Sequence, residues 1–101
     1  MSELKTYVIL RRNGWRTGDD LQEAAKRSSQ VGDDEMSDDI RWIRSYVLAE
    51  TDGSLGTVCI YQGSSPEKVR EHAERAGLPA DEVIEVADTV LVRPDPEPAA
   101  A

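Results

Sequence analysis

Thr57-Val58-Cys59-Ile60-Tyr61-Gln62-Gly63-Ser64-Ser65-Pro66-Glu67 carries the chain from a strand into a helix with little connecting sequence. β-branched and aromatic residues run up to Tyr61, as a pleated, half-buried surface requires. Ser65 then offers a capping oxygen, Pro66 the fixed φ of a first helical position, and Glu67 an acid in the first turn. The ensuing helix gathers Val69, His72, Ala73 and Ala76 on one stripe, and the pairs Arg70–Glu74 and Glu71–Arg75 fall on the wet side. Gly77 suits the left-handed position after the helix, Leu78 can fold back, and Pro79 forbids continuation. The same unit holds the chain's one cysteine, Cys59, and its one histidine, His72.

Upstream, Ile40 to Glu50 is the longest strand candidate. Strict alternation would point Ile40, Trp42, Arg44, Tyr46 and Leu48 one way and Arg41, Ile43, Ser45, Val47 and Ala49 the other. Asp52-Gly53 is a hairpin signal that leads into the Thr57 strand. In that strand Val58 and Ile60 share one face, and Thr57, Cys59 and Tyr61 share the other. Near the N-terminus, Thr6 to Arg11 is a short β-rich run that should stop at the turn dipeptide Asn13-Gly14. Thr17 can cap a first helix, with Asp19 and Asp20 at the positive end of its dipole. Leu21, Ala24, Ala25 and Ser28 give that helix one narrow, small-residue face. Gly32 to Asp39 is dense in acid but lacks the ligand spacing of a calcium loop, and it reads as a solvated loop. Val83–Val86, with Val90–Val92 as a further candidate, supplies the last strand.

The order strand, helix, strand, strand, helix, strand predicts an α+β, ferredoxin-like βαββαβ domain, with an antiparallel sheet and both helices on one face. The domain is expected over residues 1–92, and residues 93–101 read as a disordered Pro/Ala-rich tail. The face away from the helices would carry either the Trp42–Tyr46 set or the Cys59–Tyr61 set, and neither is polar. Such a face predicts a homodimer packed sheet to sheet, a dimeric α/β barrel.

At 101 residues and a net charge of −8, the chain is a poor candidate for phosphate backbones or anionic membrane surfaces. No apolar run approaches the roughly 18 residues of a bilayer span. The N-terminal residues lack the basic and apolar regions of a secretory signal, and one cysteine cannot pair internally, so a cytoplasmic protein is expected.

Trp42-Ile43-Arg44-Ser45-Tyr46-Val47, Val58-Cys59-Ile60-Tyr61 and the run from Pro66 through His72-Ala73 to Ala76-Gly77-Leu78-Pro79-Ala80-Asp81 together resemble a known family. It consists of small, mostly bacterial ferredoxin-like proteins named for a nickel-binding member. The resemblance covers most of Thr6 to Val86. It implies a dimeric ferredoxin-like fold and, for some members, nickel or another divalent transition metal as the bound ion. The chain departs from the pattern at Asn13-Gly14-Trp15, in a longer Glu50–Gly56 connection, and at Arg44, where some relatives would offer histidine. With His72 the sole imidazole, a histidine-rich site cannot form within one chain.

Two functional readings emerge. In the first, a non-catalytic homodimer binds a divalent metal through His72, with Cys59 and Glu71 completing the site. In the second, Trp42, Arg44, Tyr46 and Tyr61 line a small-molecule cavity between sheet and helices, with His72 as a proton carrier. If Val58 and Ile60 face the helices, Cys59 lies across the sheet from His72, and only a reversed register or a partner chain would unite them. No cation is evident beside Cys59, which reads as a small buried hydrophobe. A cavity would favour the second reading; a solid interior with His72 exposed at an acidic rim would favour the first. No nucleophile elbow, Walker loop or dinucleotide fingerprint is present.

Overall fold

The computed structural model describes residues 3–96. Of the tail expected over 93–101, residues 97–101 lie outside the described residues. Strand β1 spans Lys5–Trp15, helix α1 Gly18–Gln30, β2 Ile40–Ala49, β3 Leu55–Gly63, helix α2 Pro66–Ala76 and β4 Glu82–Glu85. The sheet order is β2-β3-β1-β4 with every neighbouring pair antiparallel, which is the ferredoxin-like α+β arrangement. The sheet stays open within one chain.

Both helices begin at side-chain caps, and α2 also ends at a glycine cap. The Thr17 hydroxyl accepts from the Asp20 N–H at 3.2 Å, and the Ser65 hydroxyl accepts from the Lys68 N–H at 3.1 Å. Gly77 takes φ 69°, and the Leu78 N–H returns to the Ala73 carbonyl at 2.8 Å. Tyr7 and Ile9 of β1, Cys59 and Tyr61 of β3, Val69 of α2 and Val31 meet in one core beneath the helices. The helix-facing side of β3 is therefore the Thr57–Cys59–Tyr61 side, and Val58 and Ile60 lie on the open face. This reversed register brings Cys59 and His72 to the same side of the sheet.

Three local expectations are corrected. Asn13-Gly14 does not end β1: Asn13 takes φ 53°, pairing shifts between Arg11 and Trp15, and the strand resumes against Leu55. The carboxylate of Glu50 holds this irregularity by accepting from the Arg12 guanidinium at 2.9 Å and from the Asn13 N–H at 2.7 Å. The acidic stretch does not begin as a loop either. Val31–Glu35 is a π-helical turn that continues α1, with the Met36 N–H donating to the Val31 carbonyl at 3.0 Å. This wider turn buries Val31, Gly32 and Met36 and leaves Asp33, Asp34 and Glu35 in water. Finally, Val90–Val92 form no strand and are exposed.

The fourth correction matters most for function. Trp42 pairs with Tyr61, but the next pair is Arg44 with Ile60, so Ile43 is an extra residue in β2. The bulge breaks the alternation expected for the whole strand. Trp42 faces the helices, and so do Ser45 and Val47 beyond the bulge; Arg44 and Tyr46 turn to the open face. Neither candidate set stays whole on that face, which instead carries Val8, Leu10, Tyr46, Val58, Ile60 and Ile84.

Candidate functional site: a cavity under the first helix

Short side chains on α1 create the site. Ala24, Ala25 and Ser28 face the sheet where larger residues would have filled the layer, and a cavity of about 270 Å³ remains between α1 and strands β1, β3 and β2. Its walls are mainly apolar: Trp15 from β1, Leu21 and Ala25 from α1, Trp42 and Val47 from β2, and Leu78 after α2. Gln22, Trp42 and Val47 are exposed and form its rim. Such a volume lies just below the range of roughly 300–1,000 Å³ usual for ligand pockets.

The cavity has one polar end. Cys59 Sγ lies 3.0 Å from Arg11 Nη1 and 2.9 Å from Ser45 Oγ, both of which donate to it, with Thr57 Oγ1 at 3.4 Å. A cation therefore does stand beside Cys59, brought there from β1 across the sheet pairing. The Ser45 oxygen in turn accepts the indole N–H of Trp42 at 2.8 Å. Arg11 reaches this position because it shares the parity of Tyr7 and Ile9 on β1, the side that faces the helices. Its Nε donates to the Pro79 carbonyl at 2.6 Å, and its guanidinium sits 5.9 Å from the Tyr61 ring centre. Only 1% of Arg11 is exposed.

A second polar group lies behind the cavity wall. The Ser28 and Tyr61 hydroxyls are 2.7 Å apart, and the Ser28 carbonyl lies 3.0 Å from His72 Nε2. A carbonyl only accepts, so the ring proton sits on Nε2, and buried Nδ1 has no partner among the described residues. Burial lowers the pKa of His72 from its ordinary value, an effect the Ser28 hydrogen bond opposes and the Arg11 charge reinforces. Burial likewise raises that of Tyr61, against the Ser28 hydrogen bond and the Arg11 charge.

The expected site residues thus separate. Cys59, Tyr61 and Trp42 line the cavity, with the Trp42 and Tyr61 rings stacked at 6.0 Å and 4°. His72 is fully buried and touches Tyr61 from behind at 5.2 Å between ring centres. Glu71 points elsewhere and pairs with Arg75 at 2.8 Å and Lys68 at 3.5 Å. Arg44 and Tyr46 both bind the Asp95 carboxylate at 2.6 Å on the open face. Sequence reading passed over Arg11 and Ser45. The signal for Arg11 was present: the period-two pattern of Tyr7 and Ile9 continues onto a charged residue.

The residues from 7 to 86 match the family model described as nickel responsive protein SCO4226-like. The chain belongs to that family. Among solved structures, the crystal structure of SCO4226 from Streptomyces coelicolor A3(2) is similar, with 27% identity and a TM-score of 0.68. The match covers 84% of this chain and 99% of that one. No protein of curated function matches. The family name speaks of nickel, and the donor set here can be judged against that ion. Cys59 Sγ is engaged by Arg11 and Ser45, Glu71 by two cations, and His72 Nε2 by a carbonyl. Among the described residues no three His, Cys, Asp or Glu side chains lie close enough to hold a metal ion. The described residues of one chain do not fit nickel. No helix among the described residues is long and apolar enough to cross a membrane.

Proposed function

We propose that this family member is a small-molecule-binding protein whose site is the cavity under α1. The observation that carries this reading is the cavity itself, roofed by small residues and walled by Trp15, Trp42, Leu21 and Val47, with Arg11, Ser45 and Cys59 forming one polar cluster in its lining. Ligand sites combine such apolar walls with a few placed polar atoms. The test is a titration of isotope-labelled protein with small apolar fragments such as toluene and cyclohexanol, monitored by amide NMR. Shifts clustered at Ala25, Ser45 and Cys59, and lost in Ala25→Phe, are expected. Shifts scattered over the surface, or none at all, defeat the reading.

Family membership favours a second reading, a response to nickel. It would require donors from more than one chain, since the described residues of one chain bring no three together. Calorimetry with nickel beside a His72→Ala variant separates the two readings: binding at fixed stoichiometry that vanishes in the variant supports the metal. We infer a homodimer as well. Val8, Leu10, Val58, Ile60 and Ile84 make one apolar face with both helices on its opposite side, and a second copy would cover it as the sheet-to-sheet dimer of an α/β barrel. Light scattering on wild type and Ile60→Glu decides this. With one free, buried cysteine, a reducing cytoplasm suits the chain.

A further inference from the structure

We propose that Arg11 is the anchor for an anionic ligand, so that the cavity takes a small organic monoanion, a carboxylate on an apolar body. This rests on the reading of the cavity as a binding site and names the class of molecule it holds.

A guanidinium stays charged at any physiological pH, and a charge taken out of water calls for a counter-charge. Arg11 is buried and has none: no ion pair among the described residues involves it. Two of its nitrogens are used on the Pro79 carbonyl and the Cys59 sulfur. The third, Nη2, is buried and has no partner among the described residues. The side chain that bears this free donor also lines the cavity. Three more exposed arginines do find carboxylates: Arg12 holds Glu50, Arg44 holds Asp95, and Arg75 holds Glu35 and Glu71.

The surroundings restrict the ligand. One cation with one unpartnered nitrogen, Nη2, matches a single negative charge better than a phosphate dianion. The Ser45 hydroxyl already bridges Trp42 and Cys59, so it adds little to a second polar group. Trp15, Trp42, Leu21 and Val47 then demand an apolar remainder of modest size.

The experiment titrates the wild-type protein with phenylacetate, 3-phenylpropionate and octanoate, each beside its neutral primary amide, by calorimetry and amide NMR. At least one acid should bind tenfold or more tightly than its amide, with shifts at Ser45 and Cys59. Arg11→Met, close in volume and uncharged, should abolish that preference while melting at an equal or higher temperature. Acids and amides binding equally at the cavity would overturn the Arg11 anchor and leave the cavity reading standing. Binding of neither would overturn both. Should Arg11→Met fail to fold, the acid-to-amide ratio on wild type decides alone.

Discussion

The hydroxyls of Ser28 and Tyr61 lie 2.7 Å apart at the seam between α1 and β3, both on buried residues. They are the direct polar link between the cavity's roof and its floor, and His72 reaches the same turn of α1 through the Ser28 carbonyl. Removing one hydroxyl strands the other in an apolar layer, at a cost of about 1–3 kcal/mol. Tyr61→Phe and Ser28→Ala should each lower stability by that order, and the double variant should lose clearly less than their sum. Urea unfolding of the four proteins measures this. Additive losses would show that the two groups are not coupled.

His72 makes stability depend on pH. Its folded pKa lies below the unfolded value of about 6.5, so folding favours the neutral ring. The unfolded chain then takes up the proton first as pH falls below about 6.5, and stability declines from there down to the depressed folded pKa. Above that window the contribution is fully present. Glu50, Asp52 and Asp95 have lowered pKa values, each first through a side-chain hydrogen bond, so their stability is lost in a separate, more acidic window. Between pH 7.5 and 5.5 wild type should weaken while His72→Gln stays nearly flat; parallel curves would contradict the assignment.

Gly56 is predicted to resist substitution. A Cβ there would stand 2.7 Å from the Arg11 carbonyl and 2.6 Å from Glu50 Oε2, and the backbone atom cannot step aside. Gly56→Ala should therefore cost about 1–3 kcal/mol, typical of overpacking. At about 4–8 °C per kcal/mol for a domain of this size, the change is visible in a thermal melt. An unchanged melting temperature would mean that the Arg11–Asn13 irregularity can move.

Deleting Ile43 tests the bulge. Without it, Trp42–Tyr61, Arg44–Ile60 and Ser45–Cys59 would be consecutive ladder pairs with every facing residue unchanged. The deletion should leave the fold and the Ser45–Cys59 contact intact and shift melting by only a few degrees. Deleting Tyr46 from the regular part of the strand should turn Val47, Leu48 and Ala49 to the opposite faces and unfold the domain. Equal damage from both deletions would count against a discrete bulge at Ile43.

The amino-acid sequence alone determined where both helices start and where α2 ends, because caps at Thr17 and Ser65, the glycine at Gly77 and the apolar stripes act over a few residues of chain. It also determined the order of elements and hence the ferredoxin-like topology. Local period shows which residues share a face of a strand but not which face turns inward. That was decided by β1–β3 pairing and the helices laid across it, which put Cys59 and Tyr61 inside and Val58 and Ile60 outside. Tertiary structure likewise moved Ser45 to the cavity through one extra residue at Ile43, and drew Arg11 beneath Pro79 and against Cys59. These contacts join residues far apart in the chain, and no local pattern encodes a distance in space.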